Sequence, residues 1–131
     1  VVAAMLPTFT ETFGNAASRQ HGFGDDASEL VERAREQVAR LIGAEGREIV
    51  FTSGATESNN LAIKGVALAP TSSARHIVTT RIEHRAVLDS CASLERQGFR
   101  VSYVPVSEDG VVAVDEIEKA IGDDTALVSV M

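Results

Sequence analysis

The chain predicts an α/β protein: a mainly parallel sheet flanked by helices. Three observations carry that expectation. Apolar or β-branched runs alternate with helix-patterned stretches at spacings of about 25 residues, the rhythm of βαβ units. A turn of small residues, Thr52-Ser53-Gly54-Ala55-Thr56, joins the apolar run Glu48-Ile49-Val50-Phe51 to a helical segment. Upstream, a long amphipathic pattern places Leu30, Val31, Ala34, Val38, Leu41 and Ile42 on one stripe, with charged residues off it.

In chain order, residues 1–10 read as a short helix ending near Pro7, and 10–24 as a polar, glycine-bearing ordered loop. Gly22-Phe23-Gly24 imitates a dinucleotide fingerprint. No strand precedes it, however, and Asp25 and Asp26 would face the pyrophosphate, so the match is rejected. Asp25, Asp26 and Ser28 read instead as acidic and capping residues at the start of the amphipathic helix, which Gly43 stops. Residues 48–51 form the first expected strand. Beyond the helix that follows come a loop at 70–74 and a β-branched strand, His76-Ile77-Val78-Thr79-Thr80. A helix over 85–97 turns Val87, Leu88, Cys91 and Leu94 inward and ends at Gly98. The next strand covers 101–106, with Pro105 marking an edge or a frayed end. After a turn at 108–110, Asp115 and Glu118 read as a capping box for a short helix, and a last strand starts at Thr125.

Composition bounds the function. With 131 residues, 44% of them hydrophobic, the chain is one domain's worth with a real core. A formal charge of −7 argues against nucleic acid or an anionic membrane as partner. One cysteine permits no internal disulfide and points to a reducing cytoplasm, and no apolar run is long enough to span a bilayer. Both ends fall within apolar segments, where backbone polar groups need neighbours, so a piece of a larger protein is expected.

The turn from Ser53 to Thr56 carries the chemistry. Unpaired N–H groups at a helix start, the helix dipole and nearby hydroxyls suit a phosphate, and Gly54 lets the backbone come close or take a positive φ. No Gly-Lys-Ser/Thr follows, so a cofactor with a single phosphate fits better than a nucleoside triphosphate. Such turns also serve simply to cap helices, and these residues leave both readings open. His84 is expected at the same edge of the sheet. An imidazole there can cap a helix, or stack on an aromatic cofactor and move protons. Cys91 sits at helical spacing from Leu88 and Leu94 and reads as core, with no catalytic role.

The block from Phe13 to His21, the block from Arg47 to Gly65 (with Thr52-Ser53-Gly54-Ala55-Thr56-Glu57-Ser58-Asn59-Asn60), the run Glu83-His84-Arg85-Ala86-Val87-Leu88-Asp89-Ser90-Cys91 and the final 124–131 resemble cysteine desulfurases of the NifS/IscS type. The resemblance covers essentially the whole chain. It implies a pyridoxal 5'-phosphate enzyme of aminotransferase class V and fold type I, with 1–131 as part of the large cofactor-binding domain. Within that, 1–24 would be an opening helix and active-site loop and 25–131 the α/β core. It implies a cytoplasmic homodimer that converts L-cysteine to L-alanine and leaves a persulfide on an enzyme cysteine, to supply an iron–sulfur scaffold or another sulfur acceptor. Carried over by position, Gly54, Ala55 and Thr56 hold the cofactor phosphate, and His84 stacks on the ring and serves in proton transfer; no metal is implied. Ala16 stands where the family's loop carries a proline. The only lysines, Lys64 and Lys119, do not match the family's Schiff-base lysine. That lysine, the persulfide cysteine and the substrate arginine are expected outside this sequence, so the piece alone should be inactive. The alternatives are another class V enzyme, such as a selenocysteine lyase or an aminotransferase, and a non-catalytic interaction fragment.

Overall fold

A computed structural model describes residues 1–18, 22–71 and 73–131. They form two compact units, Val1–Phe51 and Thr52–Met131.

In the first unit, α1 (Val2–Thr10) runs through Pro7 rather than ending there. The proline forfeits one amide donor, but the helix still closes beyond it, with Glu11 N–H donating to the Pro7 carbonyl at 2.8 Å. The loop is shorter than expected, because α2 (Gly22–Ile42) starts at Gly22, with Asp25 in its first turn. Two glycines make this corner possible. A Cβ on Gly14 would meet the Phe23 carbonyl oxygen at 1.7 Å, and one on Gly24 the Ser18 carbonyl oxygen at 1.9 Å. Phe13 and Phe23 stack across it, with ring centroids 5.9 Å apart. Gly43 closes α2 with a φ of 70°. The expected stripe is only partly covered: Leu30, Val31 and Ala34 are half-buried, while Val38, Leu41 and Ile42 are exposed.

The expected strand at 48–51 is not one. Gly46–Glu48 is a 3-10 turn, framed by reciprocal hydrogen bonds between Glu45 and Glu48. The Ile49 carbonyl, which a sheet neighbour would need, accepts from the Arg35 guanidinium. That same group lies 5.1 Å from the centre of the Phe51 ring. An apolar run becomes a strand only when a partner takes its backbone groups, and here a side chain takes one of them.

The second unit holds the α/β core. Helix α3 (Ala55–Ala67) is followed by β1 (His76–Thr80), α4 (Arg85–Glu95), β2 (Arg100–Val104), α5 (Val114–Ala120) and β3 (Thr125–Ser129). The sheet has three strands rather than the four expected, in the order β2-β1-β3, and both pairings are parallel. As Pro105 foretold, β2 ends just before it and lies at an edge. The helix at 114–120 starts two residues earlier than that capping box requires. Asp115 therefore falls inside its first turn, the N-cap is Ala113 with no side-chain cap, and the Asp115–Glu118 capping box does not form.

Central β1 is buried along its whole length. Ile77 packs with Ile63 and Ala67 of α3, with Val87, Cys91 and Leu94 of α4, and with Phe99. Each fully buried Leu or Ile side chain in such a cluster contributes about 1.5–3 kcal/mol. Gly98, at a φ of 87°, lets the chain reverse from α4 into β2. At the amino edge of the sheet His76 is fully enclosed. Its Nδ1 lies 2.8 Å from Thr125 Oγ1, and its Nε2 2.9 Å from both Ser102 Oγ and the Arg100 guanidinium. Arg100 in turn holds Asp124 at 2.9 Å.

Candidate active site

The site grows from the starts of two adjacent helices. Gly54 is the N-cap of α3. Its φ of 164° is ordinary extended backbone, so the turn does not use the positive φ that a glycine permits. Instead, no atom lies within 4 Å of where its Cβ would stand, leaving the mouth of the helix open. The N–H groups of Ala55, Thr56 and Glu57 have no acceptor within the helix and point out of its start. The turn before them is tied down locally. Glu57 reaches back to accept from both the N–H and the hydroxyl of Ser53, each at 2.7 Å. Those two bonds, the backbone one first, lower the Glu57 carboxyl below its ordinary range. Thr52 Oγ1 lies 2.5 Å from Ser58 Oγ and donates to the Gly54 carbonyl at 3.2 Å. Ser53 is thus committed to Glu57. Among the described residues the Thr56 hydroxyl has no protein partner, and the donors presented at this turn are Thr56 and the helix N–H groups.

His84 is the N-cap of α4, four residues past the end of β1. Its Nδ1 accepts the Ala86 N–H at 3.0 Å, which leaves the ring proton on Nε2 and fixes the plane of the imidazole. His84 is therefore a cap, as one of its two expected roles required, and it also lines the cleft described next.

Thr56 and His84 line one cleft of about 270 Å³ between α3 and α4, together with Asn60, Lys64, Arg85, Ala86, Asp89 and Ser90. Gly54 and Ala55 shape the helix start but do not line it. Sequence reasoning assigned Asn60 no site role and set Lys64 aside as a Schiff-base lysine, although they fall four and eight residues after Thr56 on one helix face, a spacing that could have flagged both as cleft residues. Arg85 and Asp89, 3.7 Å apart, give the rim both charges. The other lysine, Lys119, pairs with Glu116 at 2.7 Å. Cys91 is fully buried, and burial first, then Glu95 and Glu83, pushes its thiol up to about 11, so it is no nucleophile at neutral pH. Of the loop from Gly14 to His21, Arg19, Gln20 and His21 lie outside the described residues. Among the described residues no helix is long and apolar enough to cross a membrane.

The cleft thus sets the Thr56 hydroxyl, at a helix start, beside an imidazole whose plane is fixed, on an α/β core. The model of the aminotransferase class-V family matches residues 1–131, and the chain belongs to that family, whose members are pyridoxal-phosphate enzymes. It is 57% identical over 131 residues to a cysteine desulfurase of Rattus norvegicus, a match covering 100% of this chain and 29% of the relative. Among solved structures it resembles a NifS-like protein, with 45% identity and a TM-score of 0.87 over 99% of this chain and 35% of the other. It also resembles the protein SspA in complex with cysteine, with 38% identity and a TM-score of 0.83 over 98% and 37%. The chain thus spans under a third of the length of the curated relative it matches.

Proposed function

We propose that the full-length protein containing this chain is a cysteine desulfurase. It would convert L-cysteine to L-alanine and pass the sulfur, as a persulfide on a cysteine outside this chain, to an iron–sulfur scaffold or another acceptor. The observation that carries this reading is that Thr56 and His84 line one cleft, given relatives named as cysteine desulfurases and one solved with cysteine. In this reading, residues 1–131 belong to the large cofactor-binding domain, 1–24 as opening helix and active-site loop and 25–131 as core, within a cytoplasmic homodimer.

The residues present fit pyridoxal 5'-phosphate. The unpaired N–H groups at the start of α3 and the Thr56 hydroxyl would hold the phosphate, with Gly54 and Ala55 keeping the approach open. When bound, the cofactor supplies an electron-withdrawing ring that accepts negative charge from the substrate. The His84 ring, held by Ala86 N–H, would lie over that ring and keep a proton on Nε2 for donation within the cleft. Lys64 lines the cleft but lies eight residues along α3 from Thr56, about 12 Å of helix rise, and the proposal assigns the covalent anchor to a lysine outside this chain.

The test is to load the full-length protein with pyridoxal phosphate, add L-cysteine and assay alanine and sulfide. Alanine is expected in step with persulfide or sulfide; its absence would overturn the proposal.

A further inference from the structure

The residue before His84 is a buried carboxylate that the reading above leaves unused. Glu83 is 9% exposed, and a buried carboxylate is costly unless hydrogen-bonded. One oxygen, Oε1, accepts two donors. The Thr80 hydroxyl, at the last residue of β1, donates at 3.0 Å, and the Met131 N–H, two residues past β3, donates at 2.6 Å. The same turn is tied to β2, since Arg81 N–H donates to the Val104 carbonyl at 3.1 Å. The connection from β1 to α4 is therefore fastened to the carboxyl ends of all three strands. On the far side, the His84 carbonyl accepts from Val87 N–H at 2.9 Å, and its Nδ1 takes the Ala86 N–H.

We propose that Glu83 is a positioning residue for His84: by bridging Thr80 and the Met131 backbone it fixes where the imidazole enters the cleft. The inference rests on the reading of His84 as the residue facing the cofactor. A carboxylate suits the task because both partners are donors and it offers only acceptors. It also makes both bonds charge-assisted and therefore stiff. The amide oxygen of glutamine can accept both donors, whereas alanine accepts neither. The bridge also links His84 to the segment leaving β3, so a movement of that segment would be felt at the ring.

The test uses full-length protein labelled with 15N-histidine, first without cofactor, with His84→Gln identifying the His84 signals. Wild type should show a single tautomer at His84, with Nδ1 unprotonated and Nε2 protonated. Glu83→Ala should let the two nitrogens average, and Glu83→Gln should restore the wild-type pattern. With cofactor and L-cysteine, Glu83→Ala should lower kcat roughly tenfold or more with KM changed no more than about twofold, and Glu83→Gln should recover most of the loss. A single tautomer retained in Glu83→Ala, or averaging as complete in Glu83→Gln as in Glu83→Ala, would overturn the proposal. If Glu83→Ala does not fold, Thr80→Val, which removes one donor, decides by the same signal: partial averaging supports the bridge and an unchanged tautomer overturns it. The cofactor-free measurement stands apart from the desulfurase reading, whose failure would show as missing alanine with the histidine signals intact.

Discussion

Thr56 and His84 reach the same cleft by the same local device, a helix start that leaves polar groups facing outward. Among the described residues the Thr56 hydroxyl has no protein partner, and it sits beside N–H groups with no acceptor in the helix. Thr56→Ala in the full-length protein should therefore weaken pyridoxal-phosphate retention by about 1.5–3 kcal/mol, the value of a charge-assisted hydrogen bond. Equilibrium titration of the apoprotein measures it, and unchanged affinity would remove Thr56 from the proposed phosphate site. His84→Ala should cut turnover sharply and also cost the α4 cap about 1 kcal/mol of stability. Cys91 makes the contrasting case. With its thiol near 11, only about one molecule in ten thousand carries a thiolate at pH 7, so thiol reagents should label it only as the protein unfolds. Cys91→Ser buries a hydroxyl among Ile77, Val87 and Leu94 and should destabilise by about 1–3 kcal/mol while sparing activity. Chemical denaturation alongside the alanine assay separates the two effects.

At the scale of elements, the sites are held by ends rather than by middles. The reversal from α4 to β2 depends on Gly98 at a φ of 87°, where a side chain is strained. Gly98→Ala should cost about 1 kcal/mol or somewhat more, read from a denaturation midpoint, because alanine in that conformation loses more than it gains in chain entropy. Patterning read β1, α4 and β3 well. Each combines apolar periodicity with a turn residue that acts locally, such as Gly98 after α4. The failures share a cause. Residues 48–51 have strand-like composition, but Arg35, thirteen residues before the run, takes the Ile49 carbonyl. The Asp115–Glu118 pair has capping-box spacing, but the helix begins at Val114, two residues earlier than that box would start it. In both cases a backbone group found a different partner than the sequence spacing implied.

For the whole molecule, the enclosed network at the amino edge of the sheet makes stability depend on pH. Burial first, and then Arg100, lower the His76 imidazole below its ordinary 6.5, with Asp124 opposing. Its folded value is therefore below its unfolded one, and the unfolded chain binds the extra proton first as pH falls. The His76 contribution is fully present above about pH 6.5 and is lost as pH drops through that value toward the lower folded one. Urea midpoints measured from pH 8 to pH 5 should fall over that lower range, and His76→Gln should flatten the slope there. The Asp124 carboxyl, held below its ordinary range chiefly by Arg100, adds a separate loss only at more acidic pH.

The sequence by itself determined the parallel α/β architecture, the open helix start at Thr56, the core placement of Cys91 and the family, because each rests on local periodicity, helix-end chemistry or a contiguous motif. Only the tertiary structure decided that the run at 48–51 is not a strand, that Asn60 and Lys64 share a cleft with His84, and that Glu83 joins the end of β1 and the segment after β3. These depend on which groups meet across 14 to 48 residues of chain. Hydrogen-bond partners at that separation are selected by packing, which no local pattern encodes.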